Sequence, residues 1–430
     1  MVYDKVYNKH MEEEKFARIL NQQLTGEYFT AKELQYSTKA GLFLSPLEYQ
    51  QYLAWIEASS LSRDGVIFLP LKTFNSKCIY FCFGNDLQSA IDTYFDLSAT
   101  DFSHNDAFSQ RLEKSRIYSE IEGSVNIENV PTTRKRLKEL LEEGAPAQNK
   151  NDTIIKNMKA GIDFARQLPA FNRENLFRLY SLLSKDCLDQ DDLLKPGDCY
   201  RYDGVEIDSY PGCPYPEIAS CMDSLFTFVN QVLSEPQMNR ALLTLLPHIC
   251  HYYLIYIHPY FDFNGRTARM VSYWVYLLSG LQDFPPVISE AINQTKHQYY
   301  RAIENSRDAH NDITYFLLYL LHVADDYVIT YQNLEALEKE AKNKGYILTE
   351  TELNYMKKIL ISYGGAFTYA DFLKMAQVEM TKQGALKILN KLVDYGFLRE
   401  VTSKSKVKLF DINQANIPFR LKSLGFRVAQ

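Results

Sequence analysis

Residues 258–269 read HPYFDFNGRTAR and set a histidine, an aspartate and two arginines around an Asn-Gly turn. His258 ends an apolar run and precedes Pro259, which disfavours helix at the residue before it and turns the chain. An imidazole held there, with an ordinary pKa near neutrality, suits a general base. Asp262 offers a hard oxygen of the kind Mg²⁺ takes. Past Asn264-Gly265, a helix starting at Arg266 or Thr267 would aim free backbone N–H groups and its positive dipole end at an anion. Arg266 and Arg269, three apart, share one face of that first turn. Two arginines there repel each other and oppose the dipole, which favours acids at that end. A phosphate chain between them removes both conflicts.

These residues need elements to hold them. HICHYYLIYI (248–257) reads as a buried helix leading into the motif, with Pro247 as its first residue or a kink. TARMVSYWVYLLSG (267–280) reads as the helix leaving it, stopped by Gly280. Upstream, RLEKSRIYSEIEGS (111–124) carries Leu112, Ile117 and Ile121 at helical spacing and is expected to stop at Gly123. DCYRYDGVEIDSYPGCPYP (198–216) has the turn chemistry of a short hairpin, with Pro216 opening the next helix. GVIFLP (65–70) and KCIYFCF (77–83) read as two short strands within an N-terminal α+β region, 1–100, whose role the sequence leaves open.

HPYFDFNGRTAR resembles the Fic-domain signature H-P-F-x-(D/E)-G-N-G-R-x-x-R. His258, Pro259, Asp262, Asn264, Gly265, Arg266 and Arg269 match it, and Tyr260 replaces Phe conservatively. His251, seven residues before His258, and the 198–216 hairpin, placed where the family has its flap, extend the likeness over about 105–325. The resemblance implies a mainly α fold: a Fic-type helical bundle over 101–330 with a β-hairpin flap, an N-terminal α+β region, a connector at 331–346 and a C-terminal winged helix-turn-helix at 347–430. It implies a protein adenylyltransferase that moves AMP from ATP to a Ser, Thr or Tyr hydroxyl and releases pyrophosphate. His258 would be the catalytic base, and Asp262 would hold Mg²⁺ at the α- and β-phosphates. Asn264, with the N–H groups around Gly265 and Arg266, would bind the α-phosphate, and Arg266 and Arg269 the β- and γ-phosphates. The hairpin would hold the target segment by strand addition. The family's inhibitory helix carries S-x-x-x-E-G. YSEIEG (118–123) offers Glu122 and Gly123 to that pattern, so Glu122 is expected to pair with Arg269 and also to position water for removing AMP. Phe263 departs from the signature, standing where the family has its first glycine. If the position needs φ > 0, a Phe there costs about 1–3 kcal/mol; if phosphate must approach the backbone, the ring has to point away.

The remaining chain sets bounds. At 430 residues, 46% hydrophobic and 23% charged, it is an ordinary folded protein of two or three domains. Its net charge of −6 argues against bulk nonspecific nucleic-acid binding. The seven cysteines lack zinc-site spacing and read as reduced thiols, and the polar N-terminus has no apolar leader, so a cytoplasmic protein without a membrane span is expected. In 347–430, three short helices precede strand, polar turn and strand, and Lys382, Lys387, Lys391, Lys404, Lys406 and Lys408 could reach phosphates. The partners implied are ATP, a protein hydroxyl, the chain itself as target, a second copy in a homodimer, and DNA or a protein at 347–430. The alternative is a DNA-binding or regulatory protein that uses a degenerate Fic site to sense nucleotide.

Overall fold

The computed structural model describes every residue except 1, 37–42, 59–63, 76, 99–106, 208–209, 236–239, 281–287, 362–364, 377, 402–406 and 414–430. Along the chain come α1 (Val2–Thr25), α2 (Ala31–Tyr36), α3 (Pro46–Glu57), β1 (Val66–Phe68), β2 (Tyr80–Cys82), α4 (Asn85–Ser98), α5 (Ala107–Ile127) and α6 (Arg134–Leu141). Then follow α7 (Lys150–Ala165), α8 (Arg173–Ser184), β3 (Glu206–Ile207), β4 (Tyr210–Pro211), α9 (Tyr215–Ser234), α10 (Arg240–Ile257), α11 (Asn264–Ser279), α12 (Ile288–Gln294) and α13 (Lys296–Asp308). The last elements are α14 (Thr314–Asn343), α15 (Glu350–Ile361), α16 (Tyr369–Ala376), α17 (Lys382–Asp394), β5 (Leu398–Val401) and β6 (Leu409–Ile412). The fold is mainly α, as expected; among the described residues the named strands form the antiparallel hairpins β1-β2, β3-β4 and β5-β6, with isolated bridges from Tyr80 to Asp312 and from Phe410 to Phe367.

The described residues fall into two compact units. One takes in 1–103 and 117–323, the other 104–116 and 324–427. In the first, α10 and α11 form the central antiparallel pair. From Leu243 to Ile257 every residue of α10 is buried, and so is α11 from Arg266 to Tyr276. Buried polar ends are satisfied across the pair and its neighbours: the Tyr276 hydroxyl meets His248 Nε2 at 2.8 Å, and Trp274 Nε1 donates to Pro169 O at 3.2 Å. Pro247 lies inside α10, which starts at Arg240, so it is not the first helical residue.

The N-terminal stretch belongs to this same unit. A capping box at Ser45 and Glu48 starts α3. Tyr49, Tyr52, Leu53 and Ile56 of that helix pack with Phe16, Ile19, Val66 and Tyr80 in a local core. The stretch is then pinned to the helical core. Tyr80 bonds through its backbone to Asn311 and Ile313, Cys82 N donates to Thr314 Oγ1 at 2.8 Å, and Phe74 stacks on Tyr256 at 4.6 Å. In the second unit, Arg111 pairs with Glu338 at 2.9 Å and Arg116 Nε donates to the Tyr327 hydroxyl at 2.6 Å. There α15, α16 and α17 are followed by the β5-β6 hairpin.

Helix α5 does not stop at Gly123. It runs to Ile127 and ends in a Schellman motif: Asn129, at φ 57°, bonds back to Asn126 O, and Val130 N bonds to Val125 O, each at 3.0 Å. Gly123 serves packing instead. A Cβ there would lie 2.4 Å from the backbone of Ser289 and Glu290, where α12 crosses α5. The nearby carboxyl of Glu120 accepts from Ser289 N at 3.2 Å and from the Ser289 hydroxyl, and burial pushes its pKa up to about 7. Gly123→Ala should therefore destabilise the protein by about 1–3 kcal/mol in urea unfolding; a neutral substitution would mean that the α5–α12 contact is not close.

Candidate active site

The loop joining α10 to α11 is shaped by left-handed residues at both ends. His258 has φ 54° and its N–H bonds to Leu254 O at 2.9 Å, which closes α10. Phe263 has φ 67° and ψ 9° and is the N-cap of α11. The helix thus begins at Asn264, earlier than Arg266 or Thr267, because Phe263 rather than the Asn-Gly pair makes the turn. Each non-glycine residue in this conformation costs about 1–3 kcal/mol. For Phe263 the cost is offset. Its ring is buried, worth about 1.5–3 kcal/mol, and it lies under the Arg266 guanidinium, 3.5 Å from the ring centroid. The ring therefore faces Arg266 and supports it.

Asn264 locks the loop. Its Oδ1 accepts from Tyr260 N at 3.0 Å and its Nδ2 donates to Tyr260 O at 2.9 Å, so both ends of the amide are bonded to the Tyr260 backbone. The Tyr260 ring stacks on Tyr180 at 3.6 Å with the planes 4° apart. Asp262, nearly half exposed, accepts at Oδ1 from Phe263 N at 2.5 Å and from Arg266 Nη2 at 3.2 Å. Among the described residues no group of three or more His, Cys, Asp or Glu could hold a metal by itself. Asp262 fits a Mg²⁺ that takes its other ligands from phosphates and water.

His258 is held mostly out of water. Burial lowers its pKa to about 4, helped by the positive charge of Arg201 and then Arg307 and opposed by Asp262. It is neutral at pH 7, which is the form that accepts a proton. Upstream His251 is buried, with Nε2 at 3.0 Å from the Tyr299 hydroxyl, and has a packing role.

Arg269 is 1% exposed, and its partners differ from those expected. Its Nε donates to Ser124 Oγ and its Nη2 to Ser124 O, both at 3.0 Å, and Nη2 also donates to Glu128 Oε1 at 2.8 Å. Burial is the largest single influence on each and opposes both charges, but the attraction of the pair and the groups around it together outweigh it. The Glu128 pKa is lowered, with Arg266 and Lys296 adding to the effect of Arg269, and the Arg269 pKa is raised. Glu122 is instead 3.7 Å from Arg134 Nη1, so its assignment as the partner of Arg269 is corrected. The reason is helical phase. Ser124 and Glu128, four apart, face α11, whereas Glu122 sits about 200° around from Ser124 and faces Arg134. Ser124, Glu128 and Asn129 follow the S-x-x-x-E-G pattern six residues after YSEIEG, with Asn129 supplying the left-handed residue where the pattern has glycine. That spacing was visible in the sequence but was masked by the Glu-Gly pair at 122–123.

Gly265 completes the arrangement. A Cβ on it would lie 2.6 Å from Glu128 Oε1, so the carboxylate rests directly on the first turn of α11. Phe263, the N-cap, has no side-chain hydrogen bond to offer that turn. Glu128 therefore occupies the kind of position an anion would take, at a helix N-terminus and on a buried arginine.

The hairpin expected at 198–216 has β3 and β4 paired in the register Glu206↔Pro211 and Ile207↔Tyr210. Its base is fastened to the loop through Arg201, a residue that motif reading passed over. Arg201 Nε donates to His258 O at 2.8 Å and Arg201 N to Pro259 O at 2.9 Å.

The Fic/DOC family model matches residues 170–276. The protein adenylyltransferase Fic of Nematostella vectensis is 35% identical over 83 residues, covering 19% of this chain and 18% of that protein. The protein of the same name in Drosophila willistoni is 25% identical over 211 residues, covering 46% and 39%. The chain thus spans less than half the length of these relatives. A crystal structure of a Fic family protein from Desulfovibrio desulfuricans aligns with TM-score 0.47 at 17% identity, covering 77% of this chain and 97% of that one.

The depressed pKa of Glu128 sets a sign for the pair. Its contribution to stability is complete above the ordinary carboxylate pKa of 4.5 and is lost as pH falls through the lower folded value. The melting temperature of Glu128→Gln should differ from that of the parent by a constant amount above about pH 5.5, with the gap closing in more acid solution; a gap that widened on acidification would place the pair elsewhere. On the strength of the loop, the helix it opens and the family match, residues 170–276 are a Fic/DOC family domain.

Proposed function

We propose that this chain is a protein adenylyltransferase held inactive by its own Glu128. The observation that carries the reading is the Glu128 carboxylate seated on both Arg269 and Gly265, where the terminal phosphates of ATP would otherwise bind. In the reaction, His258 removes the proton from a Ser, Thr or Tyr hydroxyl of the target. The hydroxyl oxygen then bonds to the α-phosphorus of ATP, and the bond from that phosphorus to the bridging oxygen breaks, releasing pyrophosphate. The N–H groups of the first turn of α11 stabilise charge on the α-phosphate. Arg266, supported by the Phe263 ring and Asp262, takes the β-phosphate. Arg269 takes the γ-phosphate once Glu128 leaves. Asn264, bonded to Tyr260 through both ends of its amide, shapes the loop, and its second Nδ2 hydrogen is left to meet the α-phosphate. Mg²⁺ held by Asp262 would neutralise charge between the α- and β-phosphates. The β3-β4 hairpin offers a strand edge to the target segment. With Glu128 in place, the same carboxylate can orient water to remove AMP from a modified protein.

The rival reading, a nucleotide-sensing DNA-binding regulator, needs a free basic face on 347–430. Of the six lysines placed to reach phosphates, two are already neutralised within the unit: Lys391 by Glu352, and Lys408 by Glu400 with Asn390 beside it. Lys404 and Lys406 lie outside the described residues. Among the described residues no helix is long and apolar enough to cross a membrane.

A hydrogen bond to a charged group contributes about 1.5–3 kcal/mol, or about ten- to hundredfold in competition with phosphate. Glu128→Gly should raise incorporation of label from the α-phosphate of ATP by that factor, while Glu122→Gly should leave it at the parent level. The reverse order would return the inhibitory role to Glu122. His258→Ala in the Glu128→Gly protein should abolish transfer with nucleotide affinity preserved; retained transfer would mean that another group is the base. Because the His258 pKa lies near 4, transfer by the Glu128→Gly protein should stay level from pH 8 to about 5.5 and fall only in more acid solution, whereas a midpoint near 6.5 would contradict a buried neutral imidazole.

A further inference from the structure

We propose that Arg201 is a positioning residue that binds the base of the hairpin and the His258 loop into one unit, so that the general base and the target-holding strand keep a fixed relation. The inference rests on the transferase reading above. Arg201 is 2% exposed, and the hydrogen bonds of its guanidinium go to backbone carbonyls. Nε donates to His258 O at 2.8 Å, Nη1 to Asp203 O at 2.5 Å, and Nη2 to Cys213 O. Its backbone N–H donates to Pro259 O at 2.9 Å. Two of these carbonyls belong to the loop between α10 and α11, and two flank the hairpin strands. Cys213 N adds a bond to Ile257 O at 3.4 Å, on the other side of His258. Gly212 leaves room for the fork, since a Cβ there would lie 3.0 Å from Nη2.

Two physical consequences follow. His258 is held at φ 54°, a backbone state that persists only where the surroundings over-determine it, and the bonds to His258 O and Pro259 O supply that restraint. The fork shape matters as well: one planar guanidinium reaches three carbonyls in fixed directions, which a lysine ammonium on a flexible stem does not reproduce. The positive charge also stands near the imidazole. The charged groups acting on that ring are Arg201 and Arg307, which favour its neutral form, and Asp262, which opposes them.

The test uses the full chain, labelled with ¹⁵N-histidine, carrying Glu128→Gly alone or with Arg201→Gln or Arg201→Lys. Three quantities are read: the titration of His258, hydrogen exchange over residues 203–213, and kcat and KM for transfer. Arg201→Gln is expected to move the His258 titration to higher pH and to speed exchange in the hairpin. It should lower kcat at least about tenfold with KM for ATP within about threefold. Arg201→Lys keeps the charge, so the titration should stay near that of the parent while exchange and kcat change as in Arg201→Gln. The proposal is overturned if both variants leave titration, exchange and kcat unchanged, or if KM for ATP rises at constant kcat. Should Arg201→Gln fail to fold, exchange and kcat of Arg201→Lys decide. If the Glu128→Gly parent transfers no AMP, the transferase reading fails, and titration with exchange still decides the role of Arg201.

Discussion

The buried charge of Arg269 is balanced by an anion, and the organisation of the site follows from which anion that is. In this chain it is Glu128, delivered by the end of α5. Much nearby structure serves that delivery. Gly123 lets α12 approach the backbone of α5, Ser124 takes two further bonds from Arg269, and the Schellman motif at Asn129 ends the helix at Ile127 and leaves Glu128 directly after it. Gly265 clears the space into which the carboxylate comes. An ion pair this enclosed is strong only while both partners remain. A polyphosphate is the chemically natural substitute for the carboxylate, since it brings more charge to the same donors.

The loop between α10 and α11 meets a second constraint, holding a strained turn in one shape. Its left-handed ends at His258 and Phe263 are stabilised from three sides: the Asn264 amide across Tyr260, the Tyr180–Tyr260 stack, and the Arg201 bonds to the carbonyls of 258 and 259. The Phe at 263 changes how the turn is supported. A glycine would enter the left-handed region without strain, whereas Phe enters it at a cost and returns a buried ring that carries Arg266.

The motif, the helices on either side of it and the hairpin upstream were all legible in the sequence, because apolar periodicity and turn residues act locally. The partner of Arg269 was less so. Glu-Gly at 122–123 imitates a helix end, and only the packing of Ser289 and Glu290 against Gly123 shows why that glycine lies inside a continuous helix. Ser124 and Glu128 carried the right spacing, but choosing between two overlapping patterns requires the phase of α5 relative to α11, which is a tertiary quantity. The start of α11 at Asn264 is hidden in the sequence for a similar reason: a Phe in the left-handed region is not what local preference selects. Arg201 was invisible because its partners are backbone carbonyls, which leave no mark in a sequence. The N-terminal stretch read correctly as helices with two short strands, yet its place in the same unit as the Fic domain depends on long-range bonds such as Tyr80 to Asn311 and Cys82 to Thr314.

The central claim is that Glu128 and the terminal phosphates of a nucleotide compete for one position. Calorimetric titration of ATP and of AMP into the parent and Glu128→Gly proteins tests it most directly. Competition predicts that the substitution tightens ATP binding by about tenfold or more and leaves AMP, which lacks the outer phosphates, nearly unchanged. Equal gains for both nucleotides, or none for either, would contradict it.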